Sequence, residues 1–232
     1  YAVFAKPNPD LTTARRGLLR FDETSERFVD TNVDFATDGV RPRGQPLEVR
    51  HATGSSLYFD DLRVPKEPGA MLDPGRYQSF PDLPASSQSV RDVETGVSLA
   101  VSGDPAQIDS ERLGRFVRIV QQRGGTTSFL GELWALYGDT PLGPFVYGKK
   151  VVSHDAQSFF APWFHPHLTS GTGRFVYFEG SYSHVLAGDV EITPRYERNQ
   201  IMYRLDLDDA RLSLPVPVYE PSPGHFAVKG EL

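Results

Sequence analysis

The sequence contains no cysteine, so disulfides and thiolate metal sites are excluded. That absence alone leaves the compartment open. No apolar run is long enough to span a bilayer as a helix. The basic excess that a phosphate backbone requires is also missing: the net charge is -6, which argues against a nucleic-acid binder. Arg15-Arg16 and Lys149-Lys150 are short basic pairs that suit solvated strand ends. Several motifs with defined chemistry do not occur. There is no Gly-rich phosphate loop, no Gly-x-Ser-x-Gly elbow, no His-Glu-x-x-His pair and no EF-hand loop.

What is abundant points one way. The 232 residues include 21 Gly and 19 Pro, which weaken helix interiors and favour turns. Aromatic residues make up 12%, mostly Phe and Tyr, which suit strands. The chain opens at Tyr1 directly on an apolar run, Tyr1 to Ala5. This suggests that an N-terminal portion, with any signal peptide, precedes it.

Short β-branched or aromatic runs recur, bounded by Gly, Pro, Asp or Ser. The clearest are Arg115–Val120, Glu132–Tyr137, Phe145–Tyr147, Arg174–Phe178 and Ile201–Leu205. Only Ile108–Leu113 looks weakly helical. An aromatic strand follows a Gly-Arg or Gly-Ser turn at Gly54, Gly114 and Gly173. A strand ending in Asp comes next, and an outer strand closes the unit. Four antiparallel strands repeated in this way predict an all-β fold of propeller blades.

On this reading residues 1–232 form one propeller domain, or a large C-terminal part of one. An incomplete first blade covers about 1–35. Further blades cover about 47–102, 108–153 and 159–219, and a tail covers 220–232. The stretch Pro81 to Ser89 is an expected excursion. About four blades are present, of five when complete.

In such a fold the connections at Lys6–Arg16, Phe35–Pro46, Gln122–Gly131, Ser153–Ser158 and Glu179–Gln200 open on one face. They are the long ones, and long loops on a rigid scaffold are where sites form. Glu132 opens a strand there and could act as a general acid, with burial beside Trp134 and Phe129 raising its pKa. A salt-bridged strand-end Glu is the alternative. Glu179 could face Glu132 across the mouth as the second carboxylate that glycoside hydrolysis needs. His165 and His167 share one strand face, and His165 could hold a substrate hydroxyl, a water or a central cation. A hydrogen-bonded core His fits equally. Arg195, Tyr196, Arg198 and Asn199 suit sugar hydroxyls and ring faces, or loop anchoring. Asp60-Asp61 and Asp155 could ligate a cation or end strands in solvent.

Certain segments also resemble a known group. These are Ser128–Trp134, Gly138–Tyr147, Val152–Asp155, His165-Pro166, Tyr177–Tyr182, Thr193–Tyr196 and Asn199–Leu207. They resemble bacterial proteins related to glycosidase-like five-bladed propellers of the arabinanase and xylosidase type. The likeness covers about residues 108–219 well and the first hundred loosely.

The resemblance implies a carbohydrate-active, glycoside hydrolase-like propeller, in which the reading of the residues makes Glu132 and Glu179 the catalytic candidates. His165, Trp134, Arg195 and Tyr196 would bind substrate. His165 looks like the inner-strand His facing the central channel, beside a possible Ca²⁺ or other cation. Glu132 has no counterpart in that family, whose catalytic base lies in the first blade. The alternative is a non-catalytic carbohydrate-binding or structural module, completed by another chain in a surface assembly. The expected partner is a carbohydrate, not nucleic acid, and the expected location is extracellular or periplasmic.

Overall fold

The structure is a computed structural model that describes residues 2–7, 14–34, 45–60, 62–80, 90–126, 128–169, 171–185, 198–215, 218–222 and 225–228. It is all-β, with several antiparallel sheets, none closed on itself. Two compact units divide the chain, Tyr1–Asp82 and Leu83–Leu232. Among the described residues no helix is long and apolar enough to cross a membrane.

The first unit contains two sheets. Strands β1 (Ala2–Pro7), β2 (Ala14–Asp22) and β3 (Arg27–Asp34) pair in sequence order. The β2–β3 turn is tied down by Asp22, whose Oδ2 accepts from both the backbone N–H and the hydroxyl of Ser25. The second sheet also runs in sequence order, through β4 (Leu47–His51), β5 (Gly54–Tyr58), β6 (Leu62–Pro65) and β7 (Gln78–Ser79). Gly54 has φ 139° at the β4–β5 hairpin, a conformation that L side chains rarely adopt. Between β6 and β7 lies one turn of helix, α1 (Pro68–Met71). Leu18, Val33, Phe59, Leu62, Val64 and Met71 form the core of this unit.

The second unit is built on two larger sheets. One contains β8 (Arg91–Asp92), β9 (Val101–Ser110), β10 (Arg115–Gln122), β11 (Glu132–Gly138) and β12 (Tyr147–Ser153). The spatial order is β8-β12-β11-β10-β9, and only the short β8–β12 pairing is parallel. The other is a meander of β13 (Ser158–Phe164), β14 (Phe175–Ser183) and β15 (Arg198–Asp206). A separate hairpin joins β16 (Val218–Ser222) to β17 (His225–Val228). Among the described strands β15 ends its sheet, with no neighbour beyond it.

Period-two alternation decides how these sheets bury their residues. Leu133, Ala135 and Tyr137 of β11 and Val176 and Phe178 of β14 belong to one core that also holds Val117, Ile119, Phe159 and Phe164. The opposite face of β11 carries Trp134 and Leu136 into a second cluster with Val90, Leu99, Val120 and Phe145. The larger sheet is thus apolar on both faces, which is why all seven residues of β11 are buried.

Three sequence expectations are corrected. The weakly helical stretch Ile108–Leu113 is the end of β9 and a tight turn, because Ala106 and Ile108 pair with Ile119 and Val117 and enter the core. The unit expected to end near Ser102 instead gives β8 and Val101 to the following sheet. Of the outer strand expected over Leu214–Tyr219, Val218 and Tyr219 are strand but belong to β16, which pairs with β17 rather than with β15, and Leu214 buries in the core after the 3-10 turn Ala210–Leu212.

Candidate functional site

The ends of β10, β12 and β14 and the starts of β11, β13 and β15 meet at one end of the second unit. The connection from Gln122 to Gly131 does not project outward there. It folds back, with the Gly124 N–H donating to the Phe129 carbonyl at 2.7 Å. Glu132 lies beneath it and is 1% exposed. Its Oε1 accepts from the Lys150 ammonium at 3.0 Å and from the Thr126 hydroxyl at 3.1 Å. The backbone passes so close that a Cβ on Gly125 would lie 2.9 Å from the Glu132 carboxyl carbon. Lys150 also sits 5.3 Å from the Trp134 ring centroid, a cation–π contact.

Backbone and amide groups complete the closure. Gln121 is buried, and its amide donates to the carbonyls of Leu130 (3.0 Å) and Phe159. The Phe159 N–H donates to Leu130, and the His154 N–H to Gly131. Gly131 has no room for a side chain: a Cβ would lie 2.0 Å from Ser128 Oγ and 2.4 Å from the His154 carbonyl oxygen.

Behind this layer the His154 ring stacks on Phe159 at 4.8 Å and meets the edge of Tyr182 at 5.1 Å. Its Nε2 lies 2.6 Å from the Tyr203 hydroxyl, while Nδ1 is buried without a hydrogen-bond partner. A bare ring nitrogen tolerates that position better than an N–H, so Nε2 carries the proton and donates to Tyr203. Burial lowers the His154 pKa and raises that of Tyr203.

The lowered pKa of His154 makes stability depend on pH. Between the folded value and the ordinary one near 6.5, the unfolded chain binds more protons than the folded one. The stabilisation is therefore present above about pH 6.5 and is lost as pH falls through the folded pKa. Urea midpoints at pH 7.5 and 5.5 should show the loss. Replacing the ring by His154→Phe should flatten this part of the slope, whatever the absolute stability.

Glu179 lies elsewhere. It alternates with Phe178, which points into the core, so its carboxylate is on the outward face of the β13–β15 sheet. Glu132 shares the face of Trp134, away from Leu133 and the same core. The two carboxylates thus stand on opposite outer sides of two packed sheets. Such sheets are about 10 Å apart, before any outward reach of the side chains. The arrangement does not bring Glu132 and Glu179 together around one bond.

His165 follows β13 directly and has its Nε2 3.4 Å from Glu179 Oε2, an ion-pair separation without hydrogen-bond alignment. The His167 ring is 5.4 Å away, edge to face. Among the described residues no group of three His, Asp or Glu is placed to hold a metal ion.

Trp134 is 3% exposed and gives its indole N–H to Gln122 Oε1 at 2.7 Å, so it serves the core rather than an open cleft. Arg195, Tyr196 and Asp61 lie outside the described residues. Arg198 and Asn199 begin β15 and are exposed, as is Asp155. Asp60 is buried.

Two cavities of similar size lie among the described residues. One of about 600 Å³ is lined by Ser110, Arg112, Thr169, Gly171 and Gly173, beside the short β9–β10 turn. Another of about 600 Å³ lies between β12 and β15, with Lys149, Lys150, Arg204 and Arg211 facing Glu94 and Asp209. Sequence reasoning missed Gln121, Lys150 and Tyr203 as parts of one network. The usable signal was the polar Gln121 directly after the apolar pair Ile119-Val120.

Compared with known proteins, the sequence matches no family model and no curated protein.

Proposed function

We propose that this chain builds blades of a β-propeller and acts as a carbohydrate-binding module that does not hydrolyse its ligand. The observation that carries this reading is the placement of Glu132 and Glu179 on opposite outer sides of two packed sheets. Glycosidases need their two carboxylates roughly 5–9.5 Å apart, flanking one bond. Glu132 is moreover sealed beneath its own loop, with Lys150 and Thr126 on the carboxylate. A general acid must reach the leaving oxygen, and this one does not reach solvent.

The blade reading is supported by the meander order of consecutive sheets and by the face-to-face packing of the two larger ones. An extracellular or periplasmic setting belongs to the same proposal.

The test is reducing-sugar release from aryl glycosides and polysaccharides by the full chain. The expected result is no turnover, in the wild type and in Glu132→Gln alike. Turnover that Glu132→Gln abolishes would overturn the proposal.

A further inference from the structure

We infer that the outward face of the β13–β15 sheet is a platform for neutral pyranose sugars. On it Trp163 takes the apolar face of one ring and Glu179 accepts hydrogen bonds from that ring's hydroxyls. This rests on the binding-module reading above and gives it a site and a ligand class.

The register fixes the juxtaposition. Trp163 pairs with Glu179, and Glu179 pairs with Met202, so the three side chains form one row across the sheet. Their neighbours Phe164 and Phe178 enter the core, which directs the row outward. Trp163 is 45% exposed and Met202 48% exposed. A register shift between Phe160 and Trp163, with Ala161 at φ 48°, re-aims this part of β13. Bulges of this kind are conformational outliers that the surrounding structure must hold in place. Here the bulge leaves the largest side chain of the strand in water rather than in the core.

The surroundings are mixed, and this selects the ligand. The next row contains Ser181 and Gln200, joined by a 3.0 Å hydrogen bond. His165 Nε2 stands 3.4 Å from Glu179 Oε2. A wholly apolar partner would bury the Glu179 carboxylate at a desolvation cost. A pyranose ring offers a C–H face for the indole and a rim of hydroxyl donors for the carboxylate. Glu179 and the net charge of -6 both disfavour anionic sugars, so the neutral class is selected.

The chain carries its own reporter. It has two tryptophans, and Trp134 is 3% exposed, so quenching by acrylamide reports on Trp163. The full chain is titrated with cellohexaose and mannohexaose, with a galacturonic acid oligomer as the anionic control.

At least one neutral oligosaccharide should shift the emission to the blue and cut acrylamide quenching about twofold, saturably. Trp163→Ala, with unchanged circular dichroism, should lose this response. In calorimetry Glu179→Gln should weaken binding on the order of tenfold, and Trp163→Phe should retain part of the affinity. The inference is overturned if neither neutral sugar gives a saturable change, or if calorimetric binding is the same in Trp163→Ala. It is equally overturned if sedimentation shows a second copy already covering Trp163. Cleavage of the bound sugar would instead overturn the non-catalytic reading and leave the platform standing.

Discussion

Replacing Lys150 by methionine should destabilise the protein by on the order of 3 kcal/mol, well beyond the cost of Glu132→Gln, although the lysine is the more exposed partner. The asymmetry follows from burial. The Lys150 side chain is 38% exposed and the Glu132 side chain 2%. When Glu132 becomes glutamine, the ammonium can swing into water. The neutral amide keeps the shape and can still accept from Thr126 Oγ1, so the loss should be about 1 kcal/mol. When Lys150 becomes methionine, a carboxylate that cannot reach water loses its cation, and breaking a buried pair from that side typically costs about 3–5 kcal/mol. Urea unfolding of the two variants beside the wild type measures both. Equal losses would mean that the ion pair is not what holds the loop over Glu132.

Arg118→Ala should be more damaging still, by about 3–5 kcal/mol. Arg118 is the largest fully buried side chain among the described residues. Its Nη2 donates to Gln107 Oε1 at 2.9 Å and to the Pro141 carbonyl at 3.0 Å, and its guanidinium lies 4.1 Å from the Phe145 ring centroid. Truncation opens a cavity beside Phe145 and withdraws a charge-assisted donor from two acceptors. Relief of the arginine's own desolvation offsets part of this. Arg118→Met fills most of the stem volume and should cost clearly less. In thermal unfolding the wild type should be the most stable, Arg118→Met intermediate and Arg118→Ala the least stable. If the two variants are equally unstable, the lost hydrogen bonds dominate and the cavity contributes little.

Much of the fold was legible because its punctuation is local. The runs in β10, β11 and β14 are bounded by Gly, Asp or Pro, and their alternation is read directly. The end of β9 was not, because Ile108–Leu113 is mostly polar and shows no alternation, and only the partner strand β10 gives Ile108 its place in a sheet. The site was less legible for a different reason. Alternation does place Glu132 with Trp134 and sets Glu179 against Phe178. It does not say which of those faces meets the other sheet, and that decides whether the carboxylates converge.

The closure of the long-loop end rests on contacts such as Gln121 to Phe159, 38 residues apart. No local pattern encodes such a contact. Trp163 was hidden in a run of adjacent aromatic residues, where the bulge at Ala161 rather than hydrophobicity decides which ring is left outside.

The last strand of the β13–β15 meander has a bearing on handling the protein. A nine-residue border with no neighbour among the described strands is a template on which a second molecule can add its own strand. Arg198 and Arg204 stand along it and are exposed. Two copies meeting there would bring cations together, and that repulsion fades as salt screens it. Stock solutions should therefore stay clear longest at low ionic strength, and clouding on added salt would begin from this border rather than from the core.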